Sequence, residues 1–242
     1  GWRLGDAVDR WLELEEGRLL EVGAPRPPDL PSASAVVPGQ PLIDLRSTRL
    51  ARGGRGLIDR GTLTVRAGEV VLLGGPNGSG KSSLARALAG HALSAGVRFD
   101  PGPGSLWRPA TVAVLLPNSD LQLFAPTVLR EVQMAGLDPL AAGEALGRAR
   151  LAHLAARAPW TLSRGERQRL LLAALDTGTV PVLVLDEPAQ GLDAGDIEDL
   201  VASLHRRSAA GGGVLLMSHR QELAGAAHRV VRLADGVLTE HR

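Results

Sequence analysis

Gly75, Pro76, Asn77, Gly78, Ser79, Gly80, Lys81 and Ser82 stand in the spacing G-x-x-x-x-G-K-[ST], directly after the apolar run Val70-Val71-Leu72-Leu73. That spacing marks a loop that wraps a chain of phosphates. Glycines let the backbone approach the phosphate oxygens. The loop amides and the N-terminus of the next helix add donors with a partial positive charge. In such a loop Lys81 reaches the β- and γ-phosphates and the Ser82 hydroxyl ligates Mg²⁺, within a binding segment running from Gly75 to Ser83. A buried strand is expected before the loop, and after it a helix from Ser82 to Ala89, ended by Gly90.

A phosphate loop needs acidic partners. The run Val180-Pro181-Val182-Leu183-Val184-Leu185 reads as a second buried parallel strand and ends in Asp186 and Glu187. A carboxylate at such a strand tip, here Asp186, can hold the Mg²⁺ shell, and its neighbour Glu187 can polarise an attacking water as general base. Further along, Val214-Leu215-Leu216-Met217 reads as a third buried strand followed by Ser218 and His219, with His219 placed to meet a γ-phosphate. The segment Leu162-Ser163-Arg164-Gly165-Glu166-Arg167-Gln168 opens a helical stretch through Leu175. Ser163 and Glu166 fit a capping box. Ser163 with the Gly165 amide also fits an anion site at a helix start.

Taken together and in this order, the segments resemble the ATP-binding-cassette (ABC) ATPases, and the resemblance runs from about Leu42 onward. Gly75 to Ser82 looks like the Walker A loop, Leu162 to Gln168 like the signature motif, and Val182 to Glu187 like Walker B with its glutamate. Gln190-Gly191-Leu192-Asp193 looks like the D-loop and His219 like the switch histidine. The resemblance implies an α/β fold, a P-loop NTPase with a RecA-like core, an antiparallel β-subdomain and a helical subdomain at about 118–172. It also implies a domain that works as a dimer, with Mg²⁺ and ATP lying between one Walker A loop and the partner's signature serine. Ser163, Gly165 and Asp193 would then meet nucleotide across that interface.

Departures from the family pattern carry information of their own. An aromatic side chain that stacks on adenine is expected upstream of the Walker A loop. Here that position falls near Arg52, and the chain has no Tyr. A guanidinium plane can also stack on a base. The segment from Val114 to Thr127 resembles the energy-coupling-factor (ECF) subgroup, with Pro117 on the Q-loop position and Gln122 on the second glutamine. Proline has no side-chain ligand, so Asn118 is the expected substitute. Arg164 replaces a signature glycine and Glu166 the usual glutamine.

The N-terminal segment contributes a second kind of signal. Val8 to Glu21 (VDRWLELEEGRLLE) and Ala227 to Glu240 (AHRVVRLADGVLTE) share five of fourteen positions, and their apolar positions are kept. Internal repeats point to duplicated units. The expected organisation is a remnant of a preceding cassette domain at 1–24, a Pro-rich, semi-rigid linker at 25–40, and the nucleotide-binding domain at 41–242. Two unrelated hairpins with acidic-Gly turns remain the alternative.

Composition excludes several classes. A net charge of +1 leaves no basic footprint for nucleic acid. The absence of Cys excludes a disulfide scaffold and a thiolate metal site. No apolar run approaches the length of a bilayer span. The resemblance therefore implies an ATPase that energises an ECF-type importer of vitamins or transition-metal ions at the cytoplasmic face of a prokaryotic membrane. Its partners would be a second nucleotide-binding domain, a membrane scaffold (T-component) and a substrate-binding membrane subunit. Two alternatives stay open: a soluble tandem ABC protein unconnected with transport, and a degenerate regulatory half that binds ATP but hydrolyses it poorly.

Overall fold

Three continuous apolar runs build the centre of the molecule because both faces of their sheet are covered. The computed structural model describes residues 11–15, 18–22, 30–33, 37–92, 96–117, 119–177 and 180–241. In chain order the elements are β1 (Trp11–Glu15), β2 (Arg18–Val22), β3 (Pro41–Arg52), β4 (Arg55–Arg66), β5 (Val70–Gly74), α1 (Lys81–Leu88), β6 (Val97–Asp100) and β7 (Val112–Leu115). They continue with α2 (Val128–Gln133), α3 (Pro139–Arg148), α4 (Arg164–Leu175), β8 (Val182–Asp186), α5 (Ala194–Ala209), β9 (Gly213–Met217), β10 (Arg229–Ala234) and β11 (Val237–His241).

The main sheet has six strands in the order β11-β10-β5-β9-β8-β7. All neighbours run parallel except the final hairpin β10–β11. The period-two geometry of a strand splits its apolar residues between two cores. Val71, Leu73, Val182, Val184, Leu215 and Met217 pack with Leu84 and Leu88 of α1 and with Ile43, Leu45 and Leu63 of a three-stranded antiparallel sheet, β4-β3-β6. Val70, Leu72, Leu183, Leu185, Val214 and Leu216 pack instead with Ile197, Leu200, Val201 and Leu204 of α5. A third cluster joins α2, α3 and α4 through Val128, Val132, Leu146, Leu151, Leu162 and Leu170. Helix α4 belongs to two clusters at once, since Leu170 lies in the third and Leu171 in the second.

The strand expected from Val180 begins at Val182. Proline at 181 has no N–H to give a ladder, although its carbonyl accepts from Gly213 N–H at 2.9 Å. The helix expected from Ser82 begins one residue earlier, at Lys81.

The hairpin β1–β2 forms a sheet of its own. It pairs Trp11 with Val22, Leu14 with Leu19 and Glu15 with Arg18. At the offset that aligns the repeated sequences, β10–β11 pairs Val230 with His241, Leu233 with Leu238 and Ala234 with Val237, which is the same register. Of the expected remnant and linker, residues 1–10, 16–17, 23–29 and 34–36 lie outside the described residues.

Candidate active site

The strand order decides what meets at the C-terminal edge of the sheet. β5 opens into the glycine loop, β9 into Ser218 and His219, and β8 into Asp186 and Glu187. Because β9 lies between β5 and β8, residues far apart in sequence converge on one edge. Ligands of open α/β sheets bind at this edge. A cleft of about 420 Å³ lies there, lined by Lys81, Ser82, Asp186 and Glu187 together with Arg52, Arg55 and Leu57 of the β3–β4 hairpin.

The loop conformation requires its glycines. Gly75 has φ 147°, and a Cβ there would lie 2.2 Å from the Leu233 carbonyl oxygen on β10. Gly80 caps α1 in the left-handed region at φ 114°. Lys81 is 6% exposed, and its ammonium donates to the carbonyls of Gly75 at 2.7 Å and Pro76 at 3.0 Å. Burial draws this ammonium below the usual lysine range, against the upward pull of Glu187 and Asp186.

Asp186 has no solvent exposure, and neither of its oxygens accepts a well-formed hydrogen bond from the described residues. Burial pushes its carboxyl upward and the charge of Glu187 adds to this, while the Ser82 hydroxyl, Arg86 and Lys81 pull it back. A buried, orphaned carboxylate beside a serine hydroxyl is an all-oxygen donor pair suited to Mg²⁺, so the residues present fit that ion.

Glu187 sits at φ 53°, a left-handed conformation uncommon for a residue with a side chain. Its backbone is held by Glu187 N–H to the Met217 carbonyl at 2.8 Å. Its carboxylate is held from two sides. Oε2 accepts from Ser218 Oγ at 2.9 Å, and Oε1 accepts from His219 N–H at 3.1 Å and lies 2.8 Å from His219 Nδ1. A carboxylate so oriented at the mouth of a phosphate cleft can take a proton from water.

Other expected site residues lie elsewhere. Ser163, Gly165 and Asp193 do not line this cleft. Gly165 instead approaches the turn that leads into α5, where its Cβ would stand 3.5 Å from Asp196 Oδ2 and 3.6 Å from the Gly191 carbonyl. Of the two readings of Ser163, the capping box is formed: its hydroxyl accepts from Glu166 N–H at 3.3 Å, and Glu166 Oε2 accepts from Ser163 N–H at 2.7 Å. Arg164 lies over the loop that follows Glu187, with its Cδ and Nε 3.0 Å from where a Cβ on Gly191 would be. Ser163 and Asp193 are both exposed.

Gln122 fastens its own loop to β7: its Oε1 accepts from Leu116 N–H at 2.8 Å and its Nε2 donates to the Val114 carbonyl at 2.9 Å. Pro117 does not line the cleft, and Asn118 lies outside the described residues. Several contributors owe their role to the fold rather than to a local signal. Ser218 carried a signal only as the neighbour of His219. Arg55 needs the register of the β3–β4 hairpin. Gln168, which donates from Nε2 to the Pro188 carbonyl at 3.0 Å, needs the packing of α4 against the turn after Glu187.

Comparison with known proteins agrees with this geometry. Residues 58–190 match the family model described as ABC transporter. The hemin import ATP-binding protein HmuV of Streptomyces coelicolor is 37% identical over 82% of this chain and 77% of its own length. The zinc import ATP-binding protein ZnuC of Chelativorans sp. is 39% identical over 81% of this chain and 68% of its own length. A solved structure titled as the ATP binding subunit of an ABC transporter shares the fold, with a TM-score of 0.70 at 21% identity over 83% of this chain and 89% of its own.

Proposed function

The chain belongs to the ABC transporter family of ATPases, whose members bind ATP with Mg²⁺ and hydrolyse it, and from that premise we propose that it is the ATP-hydrolysing subunit of a prokaryotic importer of the ECF type. The observation that carries the catalytic part is the convergence of Lys81, Asp186, Glu187 and His219 on one sheet edge. Gly75 to Ser83 hold the triphosphate through backbone amides and the Lys81 ammonium, which exchanges its carbonyl partners for phosphate oxygens. The Ser82 hydroxyl and the Asp186 carboxylate would hold Mg²⁺, which would supply charge neutralisation to the phosphates when bound. Glu187, fixed by Ser218 and His219, accepts the proton of the attacking water. His219 also presents its ring toward the γ-phosphate.

Ser163, Gly165 and Asp193 are exposed or half-exposed and do not line the cleft of their own chain, which supports their use against nucleotide held by an apposed cassette domain. The matching registers of β1–β2 and β10–β11 support the reading of residues 1–24 as the closing hairpin of a preceding cassette domain, joined through 25–40 to the domain at 41–242. Among the described residues no helix is long and apolar enough to cross a membrane. The proposed arrangement is therefore a peripheral subunit on the cytoplasmic face, docked through its helical lobe to a membrane scaffold that works with a substrate-binding membrane subunit. The zinc importer among the relatives favours transition-metal ions over vitamins as cargo.

Reconstitution tests the reading. The chain, co-expressed with its membrane subunits in vesicles, should drive transition-metal uptake that requires ATP and is lost with Glu187→Gln. ATP hydrolysis that stays uncoupled from uptake with every membrane partner supplied would sink the importer assignment.

A further inference from the structure

A cavity of about 300 Å³ lies between α3, α4 and α5 and shares no lining residue with the nucleotide cleft. Leu172, Leu192 and Leu200, with Ala145, Ala149 and Ala173, give it an apolar floor. Leu192 and Leu200 belong to the core cluster beneath α5, and Leu172 packs against that cluster. The three alanines put one-carbon side chains where longer ones would fill the gap between the helices. Close-packed interiors leave few voids larger than a water molecule. Open apolar space of this size falls at the small end of the range in which proteins hold small molecules.

The charges around the floor say what kind of molecule fits. Three acids line the cavity, and each is already matched. Asp176 accepts from Arg207 Nη1 at 2.9 Å and from Ser203 Oγ at 3.2 Å. Asp196 accepts from Arg169 Nη1 at 2.5 Å, while Arg150 lies 3.6 Å from Asp196 and pairs with Asp199. Two cations of the same lining are not matched. Arg206, in the last turn of α5, has no hydrogen-bond or ion-pair partner for its side chain among the described residues. Arg148, in the last turn of α3, reaches only Glu144, 3.9 Å away with both side chains largely exposed. A helix C-terminus favours a cation nearby, yet that uses few of a guanidinium's five donors.

A cationic ligand finds no free acid here. A bare inorganic anion would leave the leucine floor uncovered. A ligand with both an aliphatic body and one carboxylate satisfies floor and rim together, and the planar fork of arginine matches a carboxylate with two parallel hydrogen bonds. We propose that this cavity is a binding site for a small aliphatic carboxylate, its chain on the leucine and alanine floor and its carboxylate on Arg148 or Arg206. Phe124 and Trp160, exposed on the helical lobe, do not line it, so the site is separate from that apolar surface. An occupant touches α3 and α4 of the helical lobe and α5 of the core at once.

The test titrates the intact chain calorimetrically with octanoate, with octan-1-ol as the body without the charge and acetate as the charge without the body. Octanoate should bind saturably and more tightly than either. An Arg148→Ala/Arg206→Ala double variant should weaken octanoate about tenfold, the loss expected for one hydrogen-bonded charge contact, and leave octan-1-ol unchanged. Ala173→Phe, which fills the floor, should abolish binding of both. Thermal unfolding of each variant checks that it folds. The arginine pair is exposed and outside every core cluster, so it reads the charge even where Ala173→Phe does not fold. Absence of saturable octanoate binding overturns the proposal. So does acetate binding as tightly as octanoate, and so does wild-type octanoate affinity in the double variant.

Discussion

At the phosphate end of the cleft, Asp186 is fully buried and Lys81 and Ser83 nearly so. On another part of its lining, Arg52 and Arg55 stand exposed on a hairpin tip with no partner side chain among the described residues. The first region is made from the ends of core strands and from main-chain amides, so its geometry is set by packing that the whole fold depends on. The second is set by side chains alone. Substitutions of these two arginines touch no core cluster, although Leu57 beside them belongs to the central one, so this rim can change at little cost to the fold.

The comparison can be broken most strongly at Glu187. Glu187→Gln should keep nucleotide binding and lower turnover by about 10²–10⁴-fold, the range for losing a general base. Steady-state hydrolysis by the assembled dimer, beside nucleotide binding, reads this out, and parental turnover would remove Glu187 from the mechanism. Next in size is Lys81→Ala. Hydrogen bonds to charged groups contribute about 1.5–3 kcal/mol each, so triphosphate affinity should fall at least about tenfold. Equal titration curves for wild type and variant would contradict the assigned role.

Asp186 gives a pH-dependent effect of intermediate size. Burial raises its folded-state pKa above the unfolded value. The nucleotide-free fold therefore carries no penalty from this group below the unfolded pKa, and acquires one as pH rises from there through the folded pKa. Ionisation also prepares the carboxylate for Mg²⁺. Affinity for Mg²⁺ should therefore rise with pH over the same window, with proton release on binding. Asp186→Asn should match or exceed the wild type in melting temperature without nucleotide and lose the extra stabilisation by Mg²⁺ with ATP. Thermal unfolding over a pH series checks both signs. Smallest is the effect of Arg55→Ala on folding, within about 0.5 kcal/mol for a surface change. A cooperative unfolding loss well beyond that would show that the two regions are not built differently after all.

The phosphate end was legible in the sequence because its signals are local: a buried apolar run, a glycine spacing, an acid at a strand tip. The α/β class was implied by the family resemblance that these signals carry. What escaped depends on partners far away in the chain. Ser218 matters through Glu187, and Arg55 through its register with Arg52. Gln122 was aligned with a family glutamine, but its amide is spent on the backbone of β7, a role visible only once the loop and strand are placed together. Ser163 satisfied two readings in sequence: the cap is formed within its own helix, and the contact with nucleotide across an interface is a proposal that needs a second domain.

The strand order also bears on how the chain is made. β5 has only β9 and β10 as neighbours, and Val70 must find Val214 across most of the domain. A nascent chain that has not yet reached Gly213 holds its glycine loop on a strand with both edges bare. Non-local parallel pairing of this kind is slow and exposed to aggregation. Nothing synthesised before β9 can close the nucleotide cleft, so competence should arrive late and abruptly. Ribosome-stalled chains ending before Gly213 should remain sensitive to protease and be captured by chaperones, whereas chains extended past β10 should not.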